Sequence, residues 1–269
     1  MGKVGLITLH GMGETERDYA RKLFDEIEER VPSSKYPEIV KYPVFYQDIM
    51  QDNQESYLQE VKQDVEWDWL RRFMLYGFSD AATLESFKSG NNSPYYLAQK
   101  AILLGFQSIY TRAGGAVPTI IVAQSLGGQV ITNYLYDAGQ TASTPDNGVW
   151  SSPPPMKTKE EDFCRGKSVH RLFTTGCNIP LFVGGRSKKQ IKPIDPTRFG
   201  PSFEWHNYYD KDDVLGWPLS PLSPAYSFVK DHRMNAGGVF SSSTPFSHTR
   251  YWTDKDFVRP LVKTLEAYL

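Results

Sequence analysis

Only two cysteines, Cys164 and Cys177, stand in 269 residues. That is too few for a disulfide framework, and no His or Cys residues fall at metal-ligand spacing, so no metal is expected. The thiols read as reduced, with a disulfide between them left open. No run of about 18 apolar residues occurs anywhere, which argues against a transmembrane segment. Neither sign of charge dominates: 30 basic residues face 31 acidic ones, net −1. The balance offers no global electrostatic attraction to nucleic acid or to an anionic membrane. Met1-Gly2-Lys3 runs straight into strand-like residues, without a basic stretch and apolar core of the secretory type, so the expected compartment is cytoplasmic. Internal repeats and cofactor-binding signatures are also missing, and no cofactor is expected. What is present is 40% hydrophobic and 14% aromatic residues, enough for one large α/β domain spanning 1–269.

The densest signal is Val122-Ala123-Gln124-Ser125-Leu126-Gly127-Gly128. Ile120, Ile121, Val122 and Ala123 read as a buried strand, whereas Val130, Ile131, Tyr134 and Leu135 carry helical spacing. Between them Ser125 has a small residue two positions to either side. This is the layout of a nucleophile elbow, in which a tight strand-to-helix turn presents a serine hydroxyl. Ala123 takes the place of the commoner first glycine, a change of one methyl group. Chance occurrence is the competing reading of so short a pattern, and the flanking strand and helix weigh against it.

A second turn follows the apolar run Val4-Gly5-Leu6-Ile7-Thr8-Leu9. It reads His10-Gly11-Met12-Gly13 and leads toward a helical pattern of Tyr19, Leu23, Ile27 and Val31. Glycines in such a turn let main-chain N–H groups face a developing negative charge. A phosphate cradle is the alternative, although both P-loop and dinucleotide-binding spacings are missing.

Together these segments resemble the α/β-hydrolase superfamily, lipase- and esterase-like members in particular. The resemblance covers most of the chain, but only in pieces around the motifs. It implies a serine, an acid and a histidine in that chain order. Asn207-Tyr208-Tyr209-Asp210-Lys211-Asp212-Asp213-Val214 is similar to the family's acid turn, with Asp213 the matching position and Asp210 and Asp212 its competitors. Ser247-His248-Thr249-Arg250-Tyr251-Trp252 resembles the loop before the family's last helix, which makes His248 the base. His170, His206 and His232 lie in strand-like stretches and read as structural. The family pattern further places oxyanion-hole N–H groups at Met12 and Leu126, with His10, Gly11, Gly13 and Gly127 as the supporting motif.

Strands are expected near 3–9, 38–46, 117–124, 169–176, 203–209, and either 228–233 or 236–241. The implied fold class is α/β: a mostly parallel sheet of about six strands, helices on both faces, and no leading antiparallel hairpin. Residues 50–92, rich in aromatics at partly helical spacing, read either as a lid over the site or as an ordinary packed helix. Residues 137–166, with three consecutive prolines and a charge run, read as a mobile surface excursion. Gly184-Gly185-Arg186-Ser187-Lys188-Lys189 adds local positive charge that either meets an anionic head group or stays solvated.

The expected activity is serine-dependent hydrolysis of a carboxylic ester, the partner being a small-molecule ester with a hydrophobic acyl group. Thioesterase, amidase or acyltransferase chemistry would use the same residues. A non-catalytic binding protein, or a nucleotide binder using Gly11-Met12-Gly13, remains open, as does the oligomeric state.

Overall fold

The computed structural model describes residues 2–12, 15–47, 90–140, 148–200, 202–235 and 250–269, with isolated positions between 56 and 88. Strands β1 (Val4–Leu9), β2 (Ile39–Val44), β3 (Thr119–Gln124), β4 (Val169–Thr175), β5 (Glu204–Asp210) and β6 (Lys230–Met234) form one six-stranded sheet. Every neighbouring pair is parallel, and the order is β2-β1-β3-β4-β5-β6. The expected α/β class, a parallel sheet of six strands with helices on both faces, is therefore present. Of the two expected positions for the last strand, 228–233 holds β6, and 236–241 lies outside the described residues.

Alternation within each strand builds two cores. Leu6 of β1 and Ile120 and Val122 of β3 face a layer containing Leu23, Ile27, Phe257, Leu261 and Leu265. Those five belong to helices α1 (Arg21–Arg30) and, from the far end of the chain, α6 (Lys255–Glu266). Ile7, Leu9, Ile121 and Ala123 face the opposite layer, with Ile102, Phe106, Val130 and Leu135. These come from α2 (Pro94–Ala113) and α3 (Leu126–Asp137). Period-two alternation meeting period-3.6 helix faces on both sides is what a doubly covered parallel sheet requires.

Helix α2 stands outside the elements read from the sequence. Ser93 caps it by accepting from the Tyr96 N–H (3.1 Å), Pro94 occupies its first position, and Gly114 ends it at φ 85°. Leu104 on its outer face is 49% exposed, so the apolar pattern runs around the helix and its period is blurred.

The stretch 137–166 departs from the expected surface excursion. Residues 141–147 lie outside the described residues, but Val149 and Trp150 are buried, as are Phe163 and Cys164 at the end of α4 (Thr158–Cys164). Trp150 packs near Tyr134 at 5.4 Å between centroids, and Phe163 meets Phe106 edge-on at 5.7 Å. The buried aromatic area outweighs the local proline and charge signal. Both cysteines are free and buried. The 50–92 lid reading falls almost wholly outside the described residues. Among the described residues no helix is long and apolar enough to cross a membrane, and no cluster of His, Cys, Asp or Glu could hold a metal.

Candidate functional site

From the boundary between β1 and β3 the chain winds outward in opposite directions, to β2 on one side and β4–β6 on the other. Such a switch point opens a crevice at the carboxyl ends of the strands. The register pairs Leu9 with Ala123, so the residues just beyond, His10-Gly11 and Gln124-Ser125, leave the sheet side by side. Both sequence-predicted turns meet there.

Ser125 separates β3 from α3 with φ 51° and ψ −121°, the single positive φ at a non-glycine among the described residues. A side chain held there costs on the order of 1–3 kcal/mol, so the surroundings must fix it. Its N–H donates to the Thr175 carbonyl (2.9 Å) at the end of β4, and its own carbonyl accepts from the Gly128 N–H (3.0 Å). The Ser125 hydroxyl is fully buried and has no hydrogen-bond partner among the described residues. Buried hydroxyls are nearly always paired, which sets this one apart.

The glycines around it answer to contact. A Cβ on Gly127 would stand 2.5 Å from the His10 carbonyl oxygen and 3.0 Å from that of Leu9. One on Gly128 would meet Cys177 Sγ at 2.8 Å, and one on Gly11 would meet Ser125 Cβ at 2.9 Å. The turn can therefore press against β1 and β4 only without these side chains. Leu126, fully buried, provides the first N–H of α3, a group with no partner inside the helix.

His10 is 4% exposed and stacks on Tyr46 with 4.0 Å between ring centroids. Its Nε2 accepts from the Tyr46 N–H (3.3 Å), which leaves the proton on Nδ1, and Nδ1 donates to the Gly11 carbonyl (2.8 Å). The Tyr46 hydroxyl in turn donates to the His10 carbonyl. Burial lowers the imidazole pKa to about 4, against a smaller opposing effect of the Gly11 carbonyl. His10 is thus neutral near pH 7. Because no cis peptide occurs, the Met12 N–H points opposite to the Gly11 carbonyl, away from the His10 ring. Met12 is half-buried, and Gly13 lies outside the described residues.

The acid turn follows β5, two strands from the elbow. Asp213 is buried; its Oδ1 accepts from the Leu215 N–H (3.0 Å) and its Oδ2 from the Tyr251 hydroxyl (2.8 Å). Asp212 instead faces solvent and pairs with Lys211 (2.9 Å). Asp210 is buried and shapes the turn, its Oδ1 accepting from the Asp212 N–H (2.9 Å). Residues 176–177 join this turn to the elbow: the Trp217 N–H donates to the Cys177 carbonyl (3.1 Å), while Cys177 Sγ packs where a Gly128 Cβ would be. Burial pushes the Cys177 thiol up to about 12.

His248 lies outside the described residues. The chain re-enters at Arg250, and the next two side chains attach to the same strand ends: Tyr251 to Asp213, and Trp252 Nε1 to Thr175 Oγ1 (3.1 Å). The other histidines sit elsewhere. His170, near the start of β4, meets Ser202 Oγ (2.8 Å) at the opposite end of the sheet. His206 and His232 pair with each other across β5 and β6 (2.8 Å), and His206 Nε2 also meets Glu204 Oε2 (3.0 Å).

Tyr251, Tyr46, Cys177 and Gly216 are site-shaping residues that the sequence reading leaves out. Of these, only Tyr251 had a signal, lying within the Ser-His-Thr-x-Tyr-Trp stretch. A Cβ on Gly216 would come 2.7 Å from Asp213 Oδ2, so its lack of side chain keeps room beside the carboxylate.

No protein-family profile and no curated protein matches this chain. Among solved structures, one similar chain is the RedJ thioesterase from the prodiginine biosynthetic pathway of Streptomyces coelicolor. It is 9% identical, with all of this chain and 87% of that one covered at a TM-score of 0.42. An overlap that loose carries no inference about activity.

Proposed function

We propose that this chain is a serine hydrolase that cleaves a carboxylic ester. The observation that carries the reading is Ser125 itself: a strained elbow at the switch point, its hydroxyl buried and without a partner among the described residues. Asp213 orients His248, and the N–H groups of Met12 and Leu126 form the oxyanion hole. His248 precedes by three residues Tyr251, whose hydroxyl donates to Asp213, and this chain order supports the pairing.

Ser125 Oγ bonds to the ester carbonyl carbon as its proton passes to the His248 imidazole. The carbon–oxygen bond to the alcohol then breaks, with His248 returning the proton to the leaving oxygen. Water attacks the acyl-serine with the same imidazole as base, releasing the acid and restoring the hydroxyl. Each oxyanion donor contributes roughly 3 kcal/mol to the transition state. Val214 and Trp217, 77% and 42% exposed beside Asp213, offer apolar surface to the acyl group.

The test is labelling with a fluorophosphonate probe, peptide mass spectrometry, and turnover of an ester, thioester and amide panel. The expected adduct is on Ser125, lost in both Ser125→Ala and His248→Ala, with ester turnover reduced by about 10⁴-fold or more in Ser125→Ala. A folded protein that neither labels nor turns over any ester would overturn the reading.

A further inference from the structure

The same helix that begins at Ser125 leads into a second feature. Gln129, Thr132, Asn133 and Tyr136 lie on one face of α3 and line a cavity of about 230 Å³. That is far above the roughly 10–15 Å³ that admits a single water. At 1.5 Å per residue, Gln129 is about 6 Å and Asn133 about 12 Å along the helix from the serine. Arg186 and Lys192, on the segment after helix α5 (Ile179–Val183), also line it. Lys88 belongs to the lining too, its ammonium 5.0 Å from the centre of the Tyr95 ring.

Among the described residues Asn133 Nδ2 is buried with no acceptor, and Asn178, directly before cavity-lining Ile179, has no acceptor for its Nδ2 and no donor to its Oδ1. An N–H donor without an acceptor, beside guanidinium and ammonium groups, matches an oxyanion. The one carboxylate in the lining, Asp137, is engaged by the Tyr95 hydroxyl (2.5 Å) and Gln99 Nε2 (2.6 Å). Lys88, over that same tyrosine, places a positive charge in the carboxylate's corner.

We propose that this cavity is a subsite for an oxyanion group of the substrate, a carboxylate or a phosphate carried on a polar arm about 10 Å from the scissile carbonyl. This rests on the ester-hydrolase reading and names its substrate class: an ester with an anionic terminus. Arg186 and Lys192 bind the charge, Asn133 donates to one of its oxygens, and the bound anion fixes the ester carbonyl over Ser125.

The experiment uses esters of one acyl group whose alcohol arms end in a carboxylate, a phosphate or a neutral methyl ester. Each is assayed with the full-length protein and with the Arg186→Ala/Lys192→Ala double variant; Lys255→Ala on α6 serves as the charge control. The expected result is at least a tenfold higher kcat/KM for a charged arm, expressed in KM, together with competition by inorganic phosphate. Both effects should be lost in the double variant and kept in Lys255→Ala, and the preferred arm decides between carboxylate and phosphate. Equal turnover of charged and neutral esters without phosphate competition would overturn the subsite and leave the hydrolase reading intact. Conversely, suppose no ester is cleaved, but phosphate raises the melting temperature of wild type and not of the double variant. That would retain the anion site and remove the hydrolase.

Discussion

The Tyr251 hydroxyl stands 2.8 Å from Asp213 Oδ2 while accepting from the Asp210 N–H at 2.9 Å. One phenol from the segment before α6 therefore ties together the turn that follows β5. Burial, reinforced by the Asp213 charge, raises the Tyr251 pKa, so the phenol stays a donor to the carboxylate. Tyr251→Phe leaves a buried N–H without its acceptor and a buried carboxylate short of one donor. The expected cost is about 1–3 kcal/mol in urea unfolding. If Asp213 orients the base, ester kcat/KM falls as well, by up to about 10²-fold. A loss of stability with turnover untouched would remove Asp213 from the reaction.

The sheet was most legible at β1 and β3, short apolar runs that end in recognisable turns, and least at β6, whose Lys-Asp-His-Arg-Met carries one apolar residue. Their adjacency was not readable: nothing in residues 9–11 states that they lie against 123–125. Register supplies that, and the contact distances at Gly11 and Gly127 record it. Trp150 and Phe163 defeated the local reading of 137–166, because proline and charge report on immediate neighbours, whereas burial is decided by Phe106 and Tyr134 from distant helices. Motif resemblance put Asp213 ahead of Asp212 on the same turn, but only tertiary contacts reveal that Asp213 is buried against Tyr251 while Asp212 pairs with Lys211.

The glycines give a graded series. Gly127→Ala gains helix propensity, but its methyl group would meet two main-chain oxygens that cannot move aside. Destabilisation of about 1–3 kcal/mol is expected. Gly11→Ala presses on Ser125 Cβ and should depress probe labelling more than stability. Gly185→Ala has nothing within 4 Å of the new methyl and should stay within about 0.5 kcal/mol of wild type. Denaturant midpoints and labelling rates on the three variants check the ranking.

Acid should act on His10 before it acts on the carboxylates. The folded protein holds this imidazole near pKa 4 against 6.5 in the open chain, because burial disfavours the charged ring. Above pH 6.5 both states are neutral and stability is flat with respect to this group. As pH falls from 6.5 toward 4 the unfolded chain takes up the proton first, and roughly 3 kcal/mol is lost. Glu204 contributes lower, below pH 4.5, because hydrogen bonds from Lys230 and then His206 hold it near 2. Urea unfolding at pH 7, 5.5 and 4 should therefore show a slope that flattens in His10→Asn. An unchanged slope would mean the ring is not buried in solution.

Ser125→Gly separates strain from chemistry. At φ 51° and ψ −121° a glycine carries no Cβ penalty, so the folded state gains on the order of 1–3 kcal/mol. The unfolded chain gains freedom that offsets about 0.4–1 kcal/mol of it. The hydroxyl makes no hydrogen bond among the described residues, so its removal breaks none there. The expected outcome is a variant about 1 kcal/mol more stable than wild type by chemical denaturation, yet unlabelled by the fluorophosphonate. Most substitutions at a fully buried polar position destabilise. A gain here would identify a residue kept at the expense of stability, whereas a loss would mean that the side chain makes contacts the elbow needs for folding.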